Sequence, residues 1–137
     1  MASYADTQIF TCEALSPSDV VNASAMLQVK SPDAFQESVV QAKDPTVVMF
    51  WATWCPFCRR FKQEFEKLAA SRPWHFAAVY LDDEENPLWE DYAVEVVPTL
   101  ALFRGGKLVD RLDGILGYGI DRKMVDEFVN RLQPELA

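Results

Sequence analysis

The feature that most constrains the fold is a pair of cysteines, Cys55 and Cys58, set between a strand-like run and a helix-like run. Residues 46–52 are almost continuously apolar or β-branched, as expected of a central strand covered on both faces. Residues 59–68 place apolar side chains at helical spacing with charged residues between them. The pattern predicts a strand that delivers both cysteines to the first turn of a helix.

This placement suits dithiol chemistry. Two intervening residues put both sulfurs on one helical turn, close enough to bond reversibly. Unpaired N–H groups and a partial positive charge at the helix N-terminus favour a thiolate, which is the nucleophile in disulfide exchange. We expect Cys55 to be exposed at the helix start as the nucleophile, and Cys58 to be shielded one turn in as the resolving thiol. Arg59 and Arg60 add positive charge beside them.

Two other interpretations of the cysteines are weaker. A structural zinc site needs four ligands, and beyond this pair the chain offers Cys12 and His75, with no second CxxC. A pair of inert buried cysteines is the other possibility, but the strand and helix on either side favour redox chemistry. We therefore expect no metal and no cofactor. Cys12 is interpreted as a free thiol without consequence, with a regulatory or intermolecular disulfide as the alternative.

Composition and charge limit the class of protein. A chain of 137 residues is long enough for one domain with a sizeable core. The net charge of −8 argues against nucleic acid and anionic membrane surfaces as partners, and no apolar run is long enough to cross a membrane. The first 29 residues contain no Lys or Arg, so a signal or transit peptide is not predicted. We expect a cytoplasmic location, where the reduced dithiol is the resting form.

The remaining pattern predicts an α/β domain at 25–137 behind a partly ordered N-terminal extension at 1–24. In the extension, residues 9–12 suggest a short strand and residues 16–21 a helical turn. The domain reads βαβαβαββα, which implies a parallel core completed by an antiparallel hairpin. Its predicted strands are 26–29, 46–52, 76–81, 99–103 and 107–112. Helices are predicted from a Ser31 cap to about residue 43, after the dithiol, from 86 to 92, and over 124–132.

Four motifs resemble the thioredoxin family in the order that family shows. The run 50–58 resembles its active-site signature, Val97-Pro98-Thr99 its cis-proline motif, 103–107 its hairpin turn, and Gly114 the glycine before its last helix. The resemblance covers residues 25–133 and implies the thioredoxin fold, a mixed sheet flanked by helices. It implies a thiol–disulfide oxidoreductase that reduces protein disulfides and forms a Cys55–Cys58 disulfide in doing so. The implied partners are disulfide-containing proteins and a reductase such as thioredoxin reductase, and we expect a monomer.

The resemblance assigns roles around the dithiol. Trp54 is expected to lie beside it as substrate surface, while Pro56 and Phe57 tune its reduction potential. A proline directly after the first cysteine resembles glutaredoxins and periplasmic oxidants more than typical thioredoxins. Pro98 in the cis form is expected to face the dithiol and to leave the Val97 backbone free to pair with an extended substrate.

Two positions depart from the family pattern. The aspartate that thioredoxins bury before the active site falls on Met49, and its partner lysine falls on Val79 or Tyr80. The residue before Gly114, usually apolar and in contact with substrate, is Asp113. A carboxylate there is expected near the sulfurs, where it opposes thiolate formation or serves as a substitute base; the alternative is a solvated group that points away.

Three alternative functions stay open. A glutathione-linked glutaredoxin is suggested by the Cys-Pro-aromatic-Cys core, but the region after Pro98 lacks that family's Gly-Gly-Asp site. The second is a dithiol oxidant, a function that is not expected of a protein without an export signal. A binding or scaffold module with an incidental CxxC is the third, and the presence of both cysteines argues against it.

Overall fold

The computed structural model describes residues 26–136 as a five-stranded mixed sheet with helices packed against it. The strands are β1 Met26–Val29, β2 Thr46–Trp51, β3 His75–Tyr80, β4 Thr99–Arg104 and β5 Lys107–Asp113. The helices are α1 Pro32–Phe35, α2 Pro56–Ser71, α3 Leu88–Asp91 and α4 Arg122–Leu136. The predicted short strand at 9–12, the helical turn at 16–21 and Cys12 lie outside the described residues.

The sheet order is β1-β3-β2-β4-β5, so the strand that carries the dithiol lies at its centre. β1, β3 and β2 run parallel, while β4 and β5 are antiparallel to their neighbours. This confirms the predicted parallel core and final hairpin. All six residues of β2 are buried, which accounts for its nearly continuous apolar sequence.

Helices pack against both faces of the sheet. On one face, Phe65 of α2 contacts Phe76 of β3 edge-to-face, with ring centroids 5.7 Å apart. On the other, Phe35 of α1 contacts Phe103 at 5.3 Å and Phe50 at 6.0 Å. Side chains alternate between the faces of a strand, so the β2 residues flanking Phe50 face α2. The core is thus two apolar layers with the sheet between them.

The first helical segment differs from its prediction. Ser31 caps it as expected, since the Ala34 N–H donates to Ser31 Oγ over 3.1 Å. The helix was expected to reach about residue 43, but the α-helical turn ends at Phe35 and continues as a π-helical segment, Gln36–Val40. The wider turn still buries both Phe35 and Val39 against the sheet. The spacing of apolar residues did not reveal this change of pitch, because Phe35 and Val39 share a helical face in either case.

No helix within residues 26–136 combines the length and the apolar character needed to cross a lipid bilayer.

Candidate active site at the start of helix α2

Helix α2 begins at the dithiol, and Cys55 is its N-cap residue. The Cys58 backbone N–H donates to Cys55 Sγ over 3.3 Å, so the first sulfur accepts a bond that the helix N-terminus would otherwise leave unmade. Pro56 occupies the first turn, where a missing N–H costs nothing. Both thiols are free, and the predicted strand–dithiol–helix arrangement is present.

The expectation that Cys55 is exposed is wrong. The residue is only 6% exposed, and its Sγ lies 3.6 Å from the Val97 carbonyl oxygen, which accepts from the thiol. Cys55 is covered because the loop before β4 folds over the helix start. Little of Cys55 is therefore open to solvent, and the Val97 carbonyl borders its sulfur.

Cys58 is shielded as expected, with no exposed surface. Burial raises the pKa of the Cys58 thiol, and the hydrogen bond with Cys55 raises it further, while Arg59 acts weakly in the opposite direction. The thiol is therefore protonated at neutral pH in the reduced protein. It must lose that proton before it can attack as a thiolate.

The loop before β4 brings Val97 and Pro98 to the dithiol, and the bond between them is cis, as predicted. Gly114 packs directly against this loop. A Cβ placed on Gly114 would lie 2.3 Å from the Pro98 carbonyl oxygen, closer than real Cβ atoms approach. Glycine is required here by that close approach and not by an unusual φ angle.

Trp54 is 53% exposed beside Cys55, in agreement with its expected place at the surface. Its indole Nε1 donates to the Asp82 backbone oxygen over 3.1 Å. The Asp82 carboxylate accepts from both the Thr53 N–H and the Thr53 hydroxyl, each over 2.8 Å. The Arg59 guanidinium completes the network by donating to the Thr53 carbonyl oxygen over 2.9 Å.

Asp82 therefore holds Thr53 and Trp54, the two residues before Cys55, and it was missed in the sequence. Residues 82–95 contain seven acids and no base, a pattern that usually indicates a solvated face. The predicted topology could have indicated the contact between Asp82 and Thr53, because the carboxyl ends of neighbouring parallel strands meet at one sheet edge. Asp82 follows β3 as Thr53 follows β2, and the Leu81 N–H continues the pairing by donating to Trp51 O over 2.7 Å.

Phe57 is half-buried between the cysteines and an adjoining turn. The Arg60 guanidinium lies over its ring at 5.5 Å from the centroid. On the other side, the Gly119 backbone comes so close that a Cβ there would lie 3.1 Å from Phe57 Cβ. The residue between the cysteines is thus fixed by a cation and by a glycine turn.

Asp113 pairs with a cation on its own strand. Its Oδ1 accepts from Arg111 Nε over 3.1 Å and from Arg111 Nη2 over 2.8 Å. The same guanidinium donates to the carbonyl oxygens of Tyr92 and Ala93, which follow α3. This pairing holds the carboxylate toward Arg111. The proposed roles of Asp113 as a substitute base or as an opponent of the thiolate stay predictions.

Met49 is fully buried at the position where the thioredoxin pattern has an aspartate. Its strand neighbours are Ala78 on β3 and Leu100 on β4, both fully buried. Val79 is buried as well, and the Tyr80 hydroxyl donates to Gln28 Oε1 over 2.6 Å. The position that holds a buried carboxylate in the thioredoxin pattern is therefore filled by an apolar side chain among apolar neighbours.

A dithiol at a helix start, faced by a cis-proline loop on a mixed sheet, defines the class of proteins that exchange thiols for disulfides. Comparison of the sequence with known protein families places the chain within that class. The family model described as thioredoxin matches residues 26–126, and the chain belongs to the thioredoxin family. This supports thiol–disulfide oxidoreductase activity in general.

Curated relatives agree over the same region. The chain is 30% identical over 96 residues to a thioredoxin of Chlorobaculum thiosulfatiphilum, covering 69% of this chain and 89% of the relative. It is 35% identical over 92 residues to a thioredoxin of Synechocystis sp., covering 66% and 85%. It is also 32% identical over 100 residues to a bifunctional thioredoxin reductase/thioredoxin of Mycobacterium leprae, covering 72% of this chain but only 22% of that longer protein.

Among solved structures, Chlamydomonas reinhardtii thioredoxin f2 superposes with a TM-score of 0.67 at 27% sequence identity. The match covers 80% of this chain and 97% of that one. The family's fold is therefore confirmed for the described domain.

Proposed function

We propose that this protein reduces disulfide bonds in other proteins, with Cys55 as nucleophile and Cys58 as resolving thiol. The observation that carries the proposal is the position of Cys55 Sγ, which caps α2 and accepts the Cys58 N–H over 3.3 Å. An N–H directed at a sulfur at a helix N-terminus stabilises the thiolate over the thiol. Cys58 lies in the same turn and is positioned to attack any disulfide formed on Cys55.

The proposed reaction has two exchange steps. The Cys55 thiolate attacks one sulfur of the substrate disulfide, which forms a mixed disulfide and releases the other substrate sulfur as a thiolate. Cys58 then loses its proton and attacks Cys55 Sγ, which releases the second substrate thiolate and leaves a Cys55–Cys58 disulfide. Two electrons pass to the substrate. A reductase such as thioredoxin reductase returns them to the protein.

The proton of Cys58 needs an acceptor other than a buried carboxylate, because Met49 occupies that position. The first substrate thiolate is released beside the dithiol and is a base of ordinary thiol strength. We assign it the proton, with water as the alternative acceptor. Asp113 is the remaining candidate: if it is the base, Asp113→Asn lowers the rate above neutral pH, and identical pH–rate profiles for variant and wild type exclude it.

The sequence-based roles of the surrounding groups form part of the proposal. Trp54, Pro56 and Phe57 form or tune the substrate surface, and the Val97 backbone pairs with an extended substrate segment beside Pro98. Gly114 lets that loop approach closely. We further propose a cytoplasmic monomer with the dithiol as its resting form, and residues 1–24 as an extension dispensable for folding.

Reduction of insulin by NADPH and thioredoxin reductase, with this protein as the catalyst, tests the proposed function. Turbidity from precipitating insulin chains should appear at a rate proportional to the concentration of the protein. The Cys55→Ser and Cys58→Ser variants should each be inactive as catalysts. Equal turnover by either variant and by the wild type would contradict the assigned roles. Replacing the reductase by glutathione and glutathione reductase separates a glutaredoxin-like activity from the proposed one.

A further inference from the structure

Exposed apolar side chains occur in segments that reach the dithiol. Within residues 26–136, six large apolar side chains are exposed, and four of them are near residues of the site in the chain, since Trp54 precedes Cys55 and the other three follow Gly114. These four are Trp54, Ile115, Leu116 and Tyr118. Single exposed apolar residues are ordinary on protein surfaces, but several of them near a reactive centre indicate a contact surface.

Three of the four belong to the turn 115–119, which is tied to the site at both ends. The Ile115 N–H donates to Gly119 O over 2.9 Å and the Gly119 N–H donates back to Ile115 O over 2.7 Å, so the turn is closed on itself. Its first end follows Gly114, which packs on the Pro98 carbonyl, and its second end packs on Phe57. The turn is therefore a fixed part of the wall around Cys55.

A groove leads from this turn along the outer side of α2. It lies between α2 and the start of α4 and has a volume of about 670 Å³. Its floor is apolar, formed by Phe57, Phe61, Leu68, Ile120 and Val125. On α2 the lining extends from Phe57 to Ser71, about 21 Å at the rise of an α-helix. That length accommodates roughly six residues of extended chain.

The rim of the groove differs in charge from the rest of the molecule. It carries the cations Arg60, Lys67 and Arg122 against the carboxylates Glu64 and Asp126, a balance of +1 in a chain of −8. Lys67 and Arg122 both pair with Glu64, at 3.8 Å and 3.2 Å. Arg60, at the end nearest the dithiol, has no carboxylate within 4.0 Å among the described residues. The rim therefore favours an occupant that carries negative charge.

We propose that this groove binds an extended segment of the disulfide substrate, with bulky apolar side chains on its floor and a carboxylate at Arg60, while the substrate cysteine lies on Cys55. The proposal rests on the proposed function and specifies its substrate class. The groove begins at Phe57, between the two cysteines, so a chain crossing the dithiol is continuous with a chain in the groove. Apolar contact supplies affinity, and the charge selects acidic segments.

The test follows formation of the mixed disulfide alone, in full-length Cys58→Ser protein. Each probe is a cysteine peptide joined through its sulfur to thionitrobenzoate. Attack by the Cys55 thiolate on the peptide sulfur forms the mixed disulfide and releases coloured thionitrobenzoate, so the second-order rate is read directly. The apolar–acidic probe carries six apolar and acidic residues next to the cysteine. It is made in two versions, with these residues before the cysteine in one and after it in the other. Matched peptides replace the apolar residues by serine, or the acids by lysine, and blocked cysteine alone is the reference.

Two groove substitutions in this background have matched controls elsewhere on the chain. Val125→Gln makes the groove floor polar, and Val109→Gln makes the same change on an exposed strand residue. Lys67→Glu reverses a charge on the rim, and Lys107→Glu reverses one on the hairpin. Lys67 is highly exposed, so its substitution tests the proposal even if Val125→Gln disturbs the fold.

We expect the better apolar–acidic peptide to react about tenfold faster than its serine counterpart, the scale of discrimination that an apolar pocket gives. Val125→Gln should remove most of that preference, and Lys67→Glu, which makes the net charge of the rim negative, should weaken the preference for acids over lysines. Both controls should leave the rates unchanged. Equal rates for all peptides with Cys58→Ser protein whose groove is unchanged, or equal effects of groove and control substitutions, would overturn the proposal. Two other occupants of the groove would also overturn it. A second copy of the chain would appear as a dimer in sedimentation, and the N-terminal residues would appear as a gain in rate when residues 1–22 are deleted.

Failure of the groove proposal is distinguishable from failure of the proposed function. If blocked cysteine conjugated to thionitrobenzoate reacts readily but the peptides show no preference, the dithiol is active and the groove is not a substrate site. If the blocked cysteine conjugate itself does not react at Cys55, the proposed oxidoreductase function fails.

Discussion

Gly114→Ala should impair the active site without touching a sulfur. The added Cβ would lie 2.3 Å from the Pro98 carbonyl oxygen, and real Cβ atoms stay at least 3.0 Å from such atoms, so β5 and the Pro98 loop must separate by at least 0.7 Å. Overpacking of this kind costs about 1–3 kcal/mol. The displaced loop holds Val97 O against Cys55 Sγ, and a misplacement near 1 Å can lower a rate by about 100-fold. We expect both effects, with the loss in rate the larger.

The assay pairs urea unfolding with the second-order rate of reduction of a small disulfide. Gly105→Ala is the control, because Gly105 has a positive φ of +60° but nothing within 4 Å of an added Cβ. It should lower stability by about 1–2 kcal/mol through backbone strain and leave the rate unchanged. If Gly114→Ala retains the wild-type rate and stability, the loop is not held by this contact and the reasoning is refuted.

Three further predictions concern buried and hydrogen-bonded groups. Met49→Asp should lower the free energy of unfolding, measured by urea titration, by at least about 3 kcal/mol. The loss should grow as the pH rises above about 4, because burial raises the pKa of the new carboxyl group. Met49→Leu should cost less than about 1.5 kcal/mol in the same titrations. In the folded protein the pKa of Cys58 lies above its ordinary value of 9.0. The contribution of Cys58 to the stability of the reduced protein should therefore be constant below pH 9.0 and fall above it by at most about 1.4 kcal/mol per pH unit. Cys58→Ser should flatten that slope, and an unchanged slope would contradict the burial argument. Asp82→Ala should cost about 1–3 kcal/mol and slow reduction of protein disulfides, while Glu84→Ala should change neither quantity.

Much of the fold was predictable because its signals are local. The buried run before the dithiol, the Ser31 cap and the paired glycines at 105–106 predicted strand, helix start and hairpin, and each is confirmed within a residue or two. The π-helical continuation after Phe35 was not predicted, because the apolar spacing of Phe35 and Val39 fits an α-helix equally well.

The site residues that belong to short sequence motifs were predictable, and those brought together only by the fold were not. Cys55, Cys58 and Pro98 come from contiguous motifs, and the structure brings them together. The burial of Cys55 was missed because the covering loop lies 42 residues away in sequence. Asp82 was missed for the same reason, since its bonds to Thr53 span 29 residues and appear only when the two strand ends are placed side by side.

The separate roles of the two cysteines are tested most directly by trapping the mixed disulfide. Cys58→Ser and Cys55→Ser proteins are each mixed with a disulfide-bearing protein, quenched with acid and analysed by intact mass. Cys58→Ser should accumulate a one-to-one mixed disulfide through Cys55, because the resolving thiol is gone while the helix-capping sulfur is unchanged. Cys55→Ser should form essentially none, because the Cys58 thiol is buried and protonated. Equal trapping by both variants, or trapping through Cys58 alone, would contradict the account.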